Sequence, residues 1–157
     1  MRKKSTDGFD TELNISVAEY PLIQDGEYVA ECYKAEGPKT IFGPKSWKIY
    51  LHFRIIDKED PYSSAINHDG VELYLPLNYA DKHGNMYKRV PVGSKLYHAL
   101  VIAHEGKKPP RRLHNLRIFK NGVFRVKTKT IKRNCDQRAK QEELWYSVID
   151  CLVERIK

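Results

Sequence analysis

The clearest pattern along the chain is a strict alternation of apolar and polar side chains in residues 46–56. Apolar side chains occupy every second position there, at Trp47, Ile49, Leu51 and Phe53. A period of two is typical of a strand with one buried face. Shorter apolar runs bounded by Gly, Pro or Asn-Gly turn signals predict four more strands, at residues 26–35, 70–77, 123–131 and 144–153.

One segment has helical spacing instead. Leu96, Leu100 and Ala103 recur at intervals of three and four residues, which places them on one face of a helix. Ser94 is a suitable N-cap, and Gly106 is a suitable C-terminal stop with two prolines shortly after it. We therefore predict a single helix between the third and fourth strands.

The predicted element order resembles a known fold. Residues 1–25 show no sustained periodicity and are interpreted as an N-terminal extension, followed by a single domain at residues 26–157. A β-β-β-α-β-β order resembles the oligonucleotide/oligosaccharide-binding (OB) fold, a five-stranded partly open barrel. The chain also resembles small single-stranded DNA-binding proteins of phages and other mobile elements. This resemblance implies a mainly β domain that acts in the replication or recombination of such an element.

Composition narrows the class of protein. With 157 residues, of which 41% are apolar and 31% charged, the chain is long enough to bury a core and too apolar to be disordered. It lacks an apolar run of the roughly 18 residues that a membrane span requires. A polar start without an apolar segment, and three cysteines without CxxC spacing, favour a cytoplasmic protein with reduced thiols.

Charge is unevenly distributed along the chain. Residues 1–81 have a balance of −5, residues 82–140 a balance of +15 and residues 141–157 a balance of −2, for a net charge of +8. A segregated distribution of this kind produces a directed field that attracts polyanions. The alternative is an ordinary solvated Lys/Arg surface.

The polar face of the second predicted strand has a suitable composition for binding nucleic acid. It carries Lys48, Tyr50, His52 and Arg54, and Tyr74 lies on the neighbouring strand. Aromatic rings and cations side by side can hold single strands by base stacking and phosphate contacts. Alternatively, Tyr50 and Tyr74 cover the barrel end or pack under the N-terminal extension.

The fourth predicted strand contains the strongest local concentration of charge. Arg125, Lys127 and Lys129 are two residues apart, so they point to the same side of the strand. Few carboxylates occur nearby in sequence, which favours a phosphate-binding groove over a ladder of salt bridges. The following segment extends the basic stretch with Lys132, Arg133 and Arg138.

The loop at residues 37–45 is a second candidate contact. Two Gly-Pro pairs frame an apolar tip at Phe42, which is flanked by Lys39 and Lys45. An exposed Phe42 would stack on a base, whereas a buried one would pack on the barrel edge. The spacing of a P-loop is absent.

The sequence offers little support for catalysis. The six histidines form no HExxH motif, and no GxSxG sequence occurs. We therefore predict no enzyme activity, no metal and no cofactor. A small metal-dependent nuclease using the acids at residues 57–72 is one alternative, and a module that docks an acidic protein partner is another.

The acidic first half and basic second half also allow homo-oligomer formation. DNA is favoured over RNA as the partner.

Overall fold

The described part of the chain is mainly β, as predicted, and contains one five-stranded antiparallel sheet and one short helix. A computed structural model describes residues 21–40, 45–56, 68–133, 138–139 and 144–157. The elements, in chain order, are β1 (Glu27–Thr40), β2 (Trp47–Ile55), β3 (Glu72–Asn78), α1 (Lys95–Ala103), β4 (Val123–Ile131) and β5 (Tyr146–Arg155). The strands are ordered β3-β2-β1-β4-β5 across the sheet.

The sheet curls so that its two edges face each other. β3 and β5 form no hydrogen-bonded ladder within the described part of the chain, but their Cα atoms come within 8 Å of each other. Helix α1 packs against both strands. The core inside this curled sheet is apolar and includes the fully buried side chains of Leu51, Phe53, Leu75, Phe124 and Leu152.

The helix begins where the sequence predicts. The Ser94 hydroxyl accepts a hydrogen bond from the Tyr97 backbone nitrogen at 3.1 Å, which caps the first turn. The helix ends at Ala103, and positive φ angles follow at Glu105 (57°) and Gly106 (86°). Residues in this left-handed region terminate helices, so Gly106 contributes to the stop as expected.

The predicted strand boundaries lie within two residues of the observed ones except at the end of the first strand. The first strand was expected to end before Gly37, but β1 continues to Thr40 and stays paired with β2, with a register shift after Glu36. Gly37 makes this possible: its φ is +120°, and a Cβ there would lie 2.8 Å from the Lys48 carbonyl oxygen. The third strand, predicted at residues 70–77, runs past Pro76 to Asn78, because an edge strand tolerates a missing backbone donor.

Residues directly before β1 also belong to the packed domain. Ile23 is only 7% exposed and lies in the core. Its backbone nitrogen donates to the Ser147 hydroxyl at 2.9 Å, and the Ser147 nitrogen donates to the Pro21 carbonyl at 2.9 Å. Pro21 and Ile23, which were predicted to belong to the N-terminal extension, therefore contact the folded domain.

Candidate nucleic-acid interface

The two faces of β2 are separated as its alternation predicts. Ile49, Leu51, Phe53 and Ile55 are buried in the core, and the side chains between them lie on the outer face of the sheet. We call this outer surface of β1, β2 and β3 the outer face. It carries four of the predicted contact residues on β2, at Lys48, Tyr50, His52 and Arg54.

Tyr50 lies on the outer face but is not an exposed stacking platform. Its side chain is only 6% exposed, with the Tyr74 ring centroid 5.9 Å away and the Lys39 Nζ 5.4 Å from its own ring centroid. Burial raises the pKa of the Tyr50 hydroxyl, which has no hydrogen-bond partner among the described residues. Stacking on a base would require Tyr50 to be uncovered first. Tyr74 is half-buried and remains partly accessible.

The Glu36 carboxylate contacts His52 and two lysines. Glu36 Oε1 lies 2.5 Å from His52 Nε2, and Glu36 Oε2 lies 3.2 Å from Lys39 Nζ and 3.6 Å from Lys34 Nζ. The hydrogen bond from Lys39, together with that from His52, lowers the pKa of Glu36. This part of the outer face is therefore a mixed-charge network rather than a purely basic surface.

The side of the outer face near Arg54 contains an aromatic residue that sequence reasoning missed. The Arg54 guanidinium carbon lies 4.5 Å from the centroid of the Tyr33 ring, and the guanidinium pairs with Glu72 at 3.3 Å. The Tyr33 hydroxyl donates to the same Glu72 carboxylate at 3.1 Å. Burial and this hydrogen bond raise the pKa of Tyr33. The arrangement holds the Tyr33 ring in place as a cation-covered aromatic platform.

A shallow cavity of about 150 Å³ lies among these rings. Tyr33, His52 and Tyr74 line it together with Glu72. Pro21 and Ser147 contribute from the segment before β1 and from β5. Three rings around one cavity provide the flat surfaces on which unpaired bases stack.

The cations of β4 share one side of the strand, but two of the three have carboxylate partners. Phe124, Val126 and Thr128 are buried between them, which confirms that Arg125, Lys127 and Lys129 point outward. Arg125 Nε lies 3.3 Å from a Glu154 oxygen and Lys129 Nζ lies 3.2 Å from an Asp150 oxygen.

The expectation of a strand without counter-charges was therefore wrong. The carboxylates come from β5, which is distant from the centre of β4 in sequence but adjacent to it in the sheet. Lys127 is exposed and forms no ion pair within the described chain.

The remaining predicted contacts lie in loops. Lys45 is exposed, and its side chain packs against Gly84, whereas Phe42 lies outside the described residues. Lys132 Nζ lies 4.8 Å from the centroid of the Trp145 ring. Arg133 and Arg138 are both exposed, close to a β-bridge that joins Arg133 to Ala139. These two arginines therefore lie together beyond the end of β4.

The residues considered for a nuclease are only partly described. The acids at residues 57–60 lie outside the described residues, and Glu72 is occupied by Arg54 and Tyr33. Within the described ranges, no three His, Cys, Asp or Glu side chains gather at a spacing that suits a metal ion. The described helix, at nine residues, is also too short to cross a membrane.

Comparisons with known proteins identify no relative. No family model, no curated protein and no solved structure matches this chain. The arrangement of residues in the fold is therefore the basis for any functional conclusion.

Proposed function

We propose that this protein is an OB-like domain that binds single-stranded nucleic acid without strong sequence preference, with single-stranded DNA favoured over RNA. The strand order supports the OB-like assignment. β1 lies between β2 and β4, β3 and β5 approach each other at the open seam, and α1 packs against both seam strands. A five-stranded barrel of this connectivity binds oligonucleotides on the face formed by its second and third strands.

The observation that carries the proposal is the composition of the outer face, which includes the second and third strands. Tyr33, His52 and Tyr74 line one cavity, and the Arg54 guanidinium covers the Tyr33 ring. Rings accept any base, and cations accept any phosphate, so the combination favours binding that depends little on sequence. A role in the DNA replication or recombination of a phage or mobile element is part of the same proposal.

The first test is a fluorescence-anisotropy titration of a labelled dT oligomer and a matched duplex. With about five phosphate contacts, the logarithm of the association constant should fall with the logarithm of salt concentration at a slope near −3.5. That corresponds to a loss of roughly a hundredfold between 50 and 200 mM salt. The single strand should bind more tightly than the duplex at both concentrations. A flat salt response, or equal affinity for duplex, contradicts the proposal.

A paired substitution tests the stacking contribution separately. Tyr74→Ala should weaken binding to the dT oligomer by about 1–3 kcal/mol, which is the usual value of one base–aromatic contact. Tyr74→Phe keeps the ring and removes only the hydroxyl, so it should bind almost as the unmodified protein does. Equal losses in both variants would show that the ring does not stack on a base. Repeating the titration with a U oligomer of the same length compares RNA with DNA.

A further inference from the structure

A second cavity lies beside the outer face, at the point where β1 separates from β4. Its volume is about 250 Å³, and it is lined by Tyr33, Lys34, Ala35, Leu116, Arg117 and Lys120. Three of the six side chains are cations and none is a carboxylate. Neither Arg117 nor Lys120 belongs to the contacts predicted from the sequence.

The segment that carries these two cations packs against the sheet and is hydrogen-bonded to it. Phe119 is fully buried in the core, and Arg155 Nη1 donates to the Ile118 carbonyl at 2.8 Å. The Asn121 nitrogen donates to the Cys32 carbonyl at 2.7 Å, which ties the segment to β1. The backbone on both sides of Arg117 and Lys120 is therefore fixed by the core.

The two cations point to the same side of a tight turn. The Lys120 nitrogen donates to the Arg117 carbonyl at 3.1 Å, and side chains three residues apart in such a turn are neighbours. Both side chains are exposed, and neither forms an ion pair within the part of the chain that the structure describes. Two like charges held side by side repel each other, and a bound anion relieves that repulsion.

Lys34 completes the cavity from the β1 side. A register shift between Cys32 and Lys34 breaks the regular pairing with β2 at this point of β1. Lys34 pairs with Glu36 at 3.6 Å, the longest of the three contacts of that carboxylate, and its side chain is 56% exposed. An exposed pair of this kind contributes little, so Lys34 can turn toward an anion at small cost.

We infer that this cavity is a phosphate-binding subsite for the nucleic-acid strand; the inference rests on the proposed function and adds a specific position to it. Tyr33 lines both this cavity and the aromatic one, so a single ring separates the two. A base held among Tyr33, His52 and Tyr74 therefore has a backbone phosphate within reach of the cationic cavity. Arg117 supplies a planar fork of donors that matches the oxygens of a phosphate.

The test is to remove the two fixed cations and measure the salt dependence of binding. The double variant R117A/K120A should reduce the slope of the dT titration by about 1.4 and weaken binding about twenty-fivefold at 100 mM salt. The matched control is K107A/R112A, which removes two exposed cations that do not line the cavity. A slope that falls equally in both double variants indicates a diffuse field and overturns the inference.

A second measurement separates failure of the subsite from failure of the proposed function. Inorganic pyrophosphate, added to the isotope-labelled protein, should shift the backbone amide resonances of Tyr33, Lys34, Arg117 and Lys120, and the shifts should disappear in R117A/K120A. Absence of these shifts in the unmodified protein overturns the subsite, even if the dT oligomer binds. Pyrophosphate shifts without any binding of the oligomer would instead support the anion site and refute the proposed function.

Discussion

The carboxylates of β5 should oppose nucleic-acid binding, and this can be measured by neutralising one of them. Glu154 pairs with Arg125 at 3.3 Å, but its own side chain is 60% exposed. An exposed pair of this kind adds roughly 0–1 kcal/mol to stability. Glu154→Gln should therefore leave the fold intact and remove the negative charge that competes with phosphate for Arg125. We expect the variant to bind a dT oligomer more tightly than the unmodified protein.

The size of the gain follows from counterion release. One additional phosphate contact on a single strand makes the log–log salt slope more negative by about 0.7, which is about fivefold in affinity at 100 mM salt. Anisotropy titrations at four salt concentrations between 50 and 300 mM resolve a slope change of this size. Thermal melting of the same samples checks that stability is unchanged.

A control with the same charge change is available elsewhere on the chain. Glu105 is exposed, lies just after α1 and belongs to neither β4 nor β5. Glu105→Gln alters the net charge by the same amount, so it should change the salt slope much less than Glu154→Gln. If the two variants strengthen binding equally, only net charge matters. If neither changes it, Arg125 does not contact the strand, and the outer surface of β4 is a structural ladder of salt bridges.

Three further outcomes follow from the fold. Phe119→Ala should lower the free energy of unfolding by about 3–5 kcal/mol in urea titrations, because this ring is fully buried. Burial raises the pKa of the Cys32 thiol to about 12, so iodoacetamide at pH 8 should label Cys32 only after denaturation, as peptide mass spectrometry would show. Partial burial raises the pKa of Asp150, but Lys129 and Lys95 lower it by more, and Glu36 also has a lowered pKa. Because both carboxylates have lower pKa values in the folded state, stability should fall as the pH drops below about 4, and Asp150→Asn should reduce that dependence in urea titrations.

The single sequence predicts regular elements well, because their signals are local. The alternation in β2 correctly separates Leu51 from His52, and Ser94 correctly marks the start of α1. Whether a side chain is buried depends also on residues that are distant in sequence. Tyr50 and His52 share the same face of β2, yet Tyr50 is buried because Tyr74 and Lys39 reach it from other strands.

Irregular positions explain why Tyr33 was missed. In β1, Tyr33 follows the buried Cys32 at a register shift, where the pairing with β2 omits one residue. A bulge disturbs the period of two on which the sequence argument relies. The cation over the Tyr33 ring comes from Arg54, and its hydroxyl partner comes from Glu72. Because these contacts come from two other strands, the sequence around Tyr33 contains no pattern that predicts them.

Folding also redistributes the charge that is so strongly segregated along the chain. In the antiparallel sheet, β4 lies between β1, which carries Glu27 and Glu31, and β5, which carries Asp150 and Glu154. The basic strand therefore has acidic neighbours on both sides, and these largely offset its excess of positive charge. The cations in the connection between α1 and β4 form no ion pair within the described residues. The positive field should therefore be strongest next to that connection, which is where Arg117 and Lys120 border the second cavity.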